Sequence, residues 1–287
     1  MNHQTEQKII QKLQQPNLDL LAKIQILDWT AHNIPLNLVE KTVDNMLASI
    51  GDEVRTQMIK QNFYLFRRQL AGLTLLDLAC LEGGLTLEMA REDILALGVE
   101  GQKENYDKCQ LIKDYFDLPN LDFLLSDVKD LDPKVHGLFD LILCCGLLYH
   151  LDEPVKFLYK LNSLCPDDGV LFLDTHIAPN EQTLDTCEFK ASLSEICEIQ
   201  HHGQSYKGRW YYEYAEDGSG KNAWTSVSNS KSFWLCYDDL IRALSHAGFK
   251  YIYKPYGGFE IEQEFQLRRS FSRLYLVAVK AKFPFKA

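Results

Sequence analysis

Three carboxylates, Asp77, Glu100 and Asp127, each stand at or just past the end of a short apolar run, where a parallel sheet would present them as acceptors along one edge. Asp77 lies in Leu73 to Gly84, LTLLDLACLEGG, which reads as a buried strand breaking into a small-residue loop. Ala79, Cys80, Gly83 and Gly84 let the backbone turn into a helix that begins near Leu85, and such a helix start offers N–H groups to a ligand. Glu100 closes Ile94 to Glu100, ILALGVE. At the tip of the neighbouring strand it is placed to accept both hydrogen bonds of a ribose diol. Tyr149, His150, Asp174 and His176 follow two later apolar runs and are the candidates for a base, with His176 first among them.

The elements that must hold these residues alternate. Asn120 to Asp127, Phe139 to Gly146 and Gly169 to His176 read as the third, fourth and fifth strands, and Glu104 to Asp117 as a helix. Alternating strands and helices predict an α/β fold with a doubly wound parallel sheet.

These residues resemble the class I S-adenosylmethionine-dependent methyltransferases, over roughly residues 70 to 180 and in the full order of motifs. That family's first motif is an acid followed by alternating glycines. DLACLEG keeps Asp77 and Gly83 but has Ala79 and Leu81 at the first two glycine positions, which argues against a pyrophosphate cradle and fits a cofactor without phosphates. The resemblance implies S-adenosylmethionine as cofactor, with Asp77, Ala79, Leu81 and Gly83 around its methionine moiety. It further implies Glu100 on the ribose, Asp127 on the adenine amino group, and Cys144 with Gly146 lining the slot. The segment GLLYHLDEP, Gly146 to Pro154, is similar to a branch that includes the tRNA uridine carboxymethyltransferases and to many small-molecule methyltransferases. The same resemblance implies a seven-stranded sheet whose last strand, Ser272 to Lys280, runs antiparallel beside Lys250 to Lys254.

Composition bounds the partners. At 46% hydrophobic and 24% charged, 287 residues suffice for one substantial core with an appended cap. The N-terminus lacks the pattern of a secretory signal, and no apolar run is long enough to span a bilayer; a cytoplasmic protein without membrane attachment is expected. A formal charge of −10 repels polyanions, and only Arg67, Arg68 and the group Arg268, Arg269, Arg273 form basic runs, so nucleic acid is disfavoured against small metabolites. The eight cysteines form no CxxC pair, and Cys187, Cys197, His201 and His202 match no zinc spacing; no metal is expected.

Four segments follow. Residues 1–70 carry helical patterns punctuated by Pro16 and Pro35, expected to cap the mouth of the site or to form a packing or homodimer face. Residues 71–176 form the cofactor-binding core and 235–287 complete its sheet. Between them, 177–234 is too long for a minimal connection and is rich in aromatics. Tyr206, Trp210, Tyr212 and Tyr214 alternate around a turn at Glu216 to Gly220, which predicts an inserted β-hairpin lid. Arg209, Trp210, Tyr212 and Trp234 are the candidate substrate contacts, Arg209 because its planar fork suits a carboxylate.

The expected function is methyl transfer to an oxygen or nitrogen of a small metabolite. The alternatives are a tRNA-modifying methyl or carboxymethyl transferase, and a non-catalytic scaffold suggested by the lost glycines but opposed by the three retained acids. A dinucleotide oxidoreductase ranks below these, because Leu81 stands where pyrophosphate would need glycine.

Overall fold

A computed structural model describes residues 17–37, 39–43, 48–67, 69–215, 217–219, 221–222, 224–255 and 273–280. Among the described residues two helices precede the sheet: α1, Leu18–Gln25, and α2, Val54–Phe66. The first starts at Asn17, whose side chain accepts Leu20 N at 3.2 Å. Then come β1, Thr74–Leu78; α3, Gly84–Ala90; β2, Leu95–Glu100; α4, Lys103–Phe116; β3, Leu121–Leu125; and the short α5, Pro133–His136. β4, Leu141–Cys145, α6, Pro154–Leu164, and β5, Val170–His176, complete the alternation.

The seven-stranded sheet has the order β3-β2-β1-β4-β5-β10-β9, where β9 is Tyr251–Tyr253 and β10 is Arg273–Val279. β1 to β2 and β2 to β3 are parallel, whereas β10 is antiparallel to both β5 and β9, with Arg273 opposite His176. The expected fold class and the antiparallel last strand therefore hold. The strand cores are apolar because both faces are covered: Leu75, Leu76, Leu78, Ile142, Leu143, Leu171, Phe172 and Leu173 are all fully buried. Each such side chain contributes about 1.5–3 kcal/mol.

By internal contacts the chain forms two compact units. The first takes the described residues up to Leu131 with Phe139–Leu141; the second takes Asp132–Leu138 with the described part of Ile142–Phe283. The predicted cofactor acids fall in the first and the candidate bases and the insert in the second.

The insert is richer than a single hairpin. It is a three-stranded antiparallel sheet of β6, Cys197–His201, β7, Gln204–Tyr212, and β8, Lys231–Leu235. β6 and β7 join through His202 and Gly203, both with positive φ (48° and 73°), a two-residue turn whose twist matches the strands. β7 and β8 are the expected hairpin, and the predicted turn residues Glu216 and Gly220 lie outside the described residues. β8 leads into α7, Tyr237–Ala247. In the N-terminal segment the helical reading holds for α1 and α2, while Leu27 to Glu53 has no helix among its described residues and residues 1–16 lie outside them.

Gly83 is the position where the loop after β1 tolerates no side chain. Its φ is 76°, and a Cβ there would come within 2.7 Å of the Phe123 ring. Gly83→Ala is expected to cost about 2–4 kcal/mol, combining left-handed strain with overpacking. Urea denaturation checks this, and an unchanged midpoint would contradict it.

Candidate functional site

In the first unit, the loop after β1 keeps the shape of a glycine loop without the glycines. Ala79 and Leu81 both have φ of 53°, a left-handed bend costing about 1–2 kcal/mol each in an L residue. The bend persists because the surroundings hold it. Leu81 N donates to Glu100 Oε2 at 2.9 Å, Cys80 N to Val99 O at 3.1 Å, and Cys109 Sγ to Leu81 O at 3.1 Å. The other oxygen of Glu100 accepts Gln102 N at 2.7 Å. Burial pushes the Glu100 carboxyl above its usual range, opposed by these N–H groups and by the Asn105 amide. Asn105 is itself buried, and its amide lies beside this carboxylate without a hydrogen bond of standard geometry. A donor and an acceptor side by side suit a neutral sugar bearing hydroxyls.

Asp77, also buried, accepts the Thr86 hydroxyl at 2.6 Å, and burial pushes its carboxyl up to about 7. Asp127 is used locally, accepting Lys129 N at 2.9 Å at the start of a 3-10 turn.

Glu82, fully buried at the loop's centre, anchors an N-terminal strap. It accepts Thr30 N at 2.8 Å, Ala31 N at 3.1 Å and His32 N at 2.9 Å, and pairs with Lys108 Nζ at 2.9 Å. Burial alone would raise this carboxyl, but the N–H groups and Lys108 outweigh it and hold it below the usual range. The strap then delivers His32, whose Nδ1 accepts Gly84 N at 3.0 Å. Burial pushes His32 down to about 4, which keeps the ring neutral and able to accept. The first N–H of α3 is therefore capped from within, which removes the donor that a phosphate-binding helix start would offer.

In the second unit, β4 ends in buried Cys144 and half-buried Cys145, and Gly146 turns with φ of 78° while its N–H donates to Asp174 O at 2.9 Å. A 3-10 turn, Leu148–His150, follows. His176, at the end of β5, stacks on Trp234 at 4.9 Å and meets Tyr149 edge-on at 4.6 Å and Phe189 at 5.2 Å. Tyr211 stacks on Trp234 at 4.8 Å, and Trp234 Nε1 donates to Tyr149 O at 2.9 Å. His150 Nδ1 lies 2.8 and 2.9 Å from the two oxygens of Glu213. Asp174 is taken by Arg273, whose Nε and second terminal nitrogen donate to its oxygens at 2.6 and 2.8 Å.

The sequence candidates thus fall into groups. Asp77, Ala79, Leu81, Gly83 and Glu100 share one loop and its flank; Tyr149, His150, His176 and Trp234 share the aromatic cluster. Arg209 is 1% exposed, and its guanidinium donates to Pro179 O, Ser194 O and Glu181 at 3.0, 2.8 and 2.6 Å, which staples the insert together. Trp210 packs edge-on to Phe233 under Lys231, and Tyr212 is 57% exposed; neither joins the cluster. Sequence reasoning missed Tyr211, Phe189, Glu213, Arg273 and Asn105. Tyr211 has a signal in hindsight: strand alternation puts it on the opposite face from Trp210 and Tyr212. Among the described residues no group of three or more His, Cys, Asp or Glu is arranged to hold a metal. None of their helices is long and apolar enough to cross a membrane.

The raised carboxyl of Asp77 has a measurable consequence. Its folded value of about 7 exceeds the ordinary 3.8, so the folded ligand-free protein binds the proton more tightly and loses stability as pH rises from about 4 to about 7. Asp77→Asn removes this, and the variant is expected to gain on wild type by roughly 2–4 kcal/mol across that window. Denaturation at several pH values checks it; a gap independent of pH would contradict it.

The profile of the methyltransferase-domain family matches residues 69–218, just over half of the chain. The tRNA U34 carboxymethyltransferase of Campylobacter concisus (strain 13826) is 30% identical over 118 residues, 41% of this chain and 40% of that protein. The pavine N-methyltransferase of Thalictrum flavum subsp. glaucum is 26% identical over 171 residues, 55% of this chain and 47% of that one. The chain thus spans under half the length of these curated relatives. Among solved structures, the N-terminal domain of EvdMO1 in the presence of SAH and D-fucose superposes with a TM-score of 0.64, 20% identity, and coverage of 92% of this chain and 97% of that one, a likeness of fold. With the loop after β1, the acid closing β2 and the antiparallel last strand all in place, the chain belongs to the methyltransferase-domain family.

Proposed function

We propose that this chain transfers a methyl group from S-adenosylmethionine to an oxygen or nitrogen of a small metabolite. The carrying observation is the left-handed loop Ala79 to Gly83 pinned by Glu100, with the buried Asn105 amide beside that carboxylate. Glu100 and Asn105 would hold the ribose hydroxyls, Asp77 and the loop the methionine moiety, Asp127 the adenine amino group, and Cys144 with Gly146 the wall of the slot. The cofactor, when bound, supplies an electrophilic methyl on a sulfonium, and no strong acid or metal is needed to release it.

What remains for the protein is alignment and exclusion of water. Tyr149, His176, Trp234, Tyr211 and Phe189 supply an apolar aromatic wall for a flat or partly apolar acceptor. We assign the insert 177–234 to acceptor binding and the segment before residue 70 to capping. The charge of −10 supports a small acceptor in a cytoplasmic setting. Relatives named as N-methyltransferases, for pavine and for (S)-tetrahydroprotoberberine, support small-molecule chemistry.

A tRNA-acting reading draws on the several tRNA U34 carboxymethyltransferases among the relatives. Of the basic runs it would use, Arg68, Arg268 and Arg269 lie outside the described residues, and Arg273 is paired with Asp174. Salt-dependent binding of bulk tRNA would favour it over the small-molecule reading.

Calorimetric titration with S-adenosylmethionine and S-adenosylhomocysteine is expected to show micromolar binding, weakened about tenfold or more in Glu100→Ala, a loss of about 1.4 kcal/mol or greater. A panel of hydroxyl and amine metabolites, followed by release of S-adenosylhomocysteine, then identifies the acceptor. A folded protein that binds neither ligand would contradict the proposal.

A further inference from the structure

The contact between His150 and Glu213 is more than a staple between a loop and the insert. Glu213 follows β7, its side chain is 1% exposed, and both its oxygens face Nδ1 of His150, at 2.8 and 2.9 Å. Ser232 Oγ donates to the same carboxylate at 2.8 Å, and Glu213 N donates to Ser230 O at 2.9 Å, so the acid is fixed from β8 and its approach. The histidine is fixed as well: Asn229 Nδ2 donates to its carbonyl at 3.0 Å, and its ring lies against Tyr149 at 4.3 Å. A buried carboxylate needs its donors, and here one of them is Nδ1–H. A neutral imidazole in that hydrogen bond carries its lone pair on Nε2. Its side chain is 19% exposed, and among the described residues Nε2 has no hydrogen-bond partner.

Asp174 is paired with Arg273, and His176 is packed into the aromatic stack. Of the four residues after β4 and in β5 that could serve as a base, His150 has a carboxylate behind one nitrogen and an open second nitrogen.

We propose that Glu213 is the positioning residue for His150 as proton acceptor, so that this site takes acceptors whose nucleophile still carries its proton: a hydroxyl or an ammonium group. The proposal rests on the small-molecule methyl transfer put forward above. The acceptor's O–H or N–H proton passes to Nε2, and the bonding pair stays on the heteroatom, which becomes the nucleophile. Nδ1–H stays on Glu213, whose charge offsets the imidazolium, and Nε2 later returns the proton to water. Carboxylates, having no proton to give, would gain nothing from the pair.

The test has two arms. Histidine-labelled protein bound to S-adenosylhomocysteine is examined by long-range proton–nitrogen NMR, with His150→Gln assigning the signal. Nδ1–H with a bare Nε2 is expected, and its loss in Glu213→Gln; the opposite tautomer would overturn the proposal. In the kinetic arm, S-adenosylhomocysteine release is followed with hydroxyl acceptors of graded acidity. Glu213→Gln is expected to lower kcat about 10–100-fold for weakly acidic hydroxyls and far less for those already ionised, with S-adenosylhomocysteine affinity retained as the check on folding. An equal loss for every acceptor would mean a purely structural contact. If wild type methylates nothing in the panel, the small-molecule reading fails, and the tautomer still decides the His150–Glu213 assignment.

Discussion

One carboxylate holds the loop after β1 in its shape. Glu100 spans from the end of β2 to Leu81 N on one oxygen and Gln102 N on the other, tying the loop after β1 to the start of α4. That tie lets Ala79 and Leu81 occupy left-handed conformations that their side chains resist. Without it, the strain of two such residues would favour a relaxed loop. The same carboxylate carries its own cost, since burial raises it and only the surrounding N–H groups keep it ionisable. Loop and acid are therefore one unit, and strain in the one is balanced by solvation of the other.

The strap sets what that unit can bind. Glu82 gathers three consecutive N–H groups from Thr30 to His32, and His32 in turn caps Gly84 N. A helix start whose first N–H is capped by a neutral imidazole has one donor fewer for a phosphate, whereas the Glu100 and Asn105 side chains are suited to sugar hydroxyls. The absence of glycine at 79 and 81 and the capping of α3 thus point the same way, toward a nucleoside cofactor without a pyrophosphate. In the second unit the insert, a segment the minimal fold does not need, brings Tyr211, Glu213, Ser232 and Trp234 to the residues that follow β4 and end β5.

The first five strands were legible because each is an apolar run closed by a polar residue, and in β1, β4 and β5 burial on both faces leaves no other composition open. β6 was not, since CEIQH alternates half-buried and exposed positions and its turn, His202–Gly203, lacks the usual Asn–Gly or Asp–Gly signal. Glu100 and the loop were readable from spacing. The roles of Arg209 and Tyr211 were not: their neighbours are set by pairing of β7 with β8 and by loops distant in sequence, and the alternation pointed to the even-numbered aromatics instead. Nor could spacing reveal that Glu213 meets His150, a contact across 63 positions of chain.

The central claim is that this loop accepts a thioether or sulfonium nucleoside and refuses a dinucleotide. Equilibrium binding of S-adenosylhomocysteine and of NAD+ to the same preparation tests it directly. Micromolar binding of the first, with NAD+ weaker by about a hundredfold or more, is the predicted result, a difference of about 2.7 kcal/mol. NAD+ binding as tight as S-adenosylhomocysteine would contradict the account.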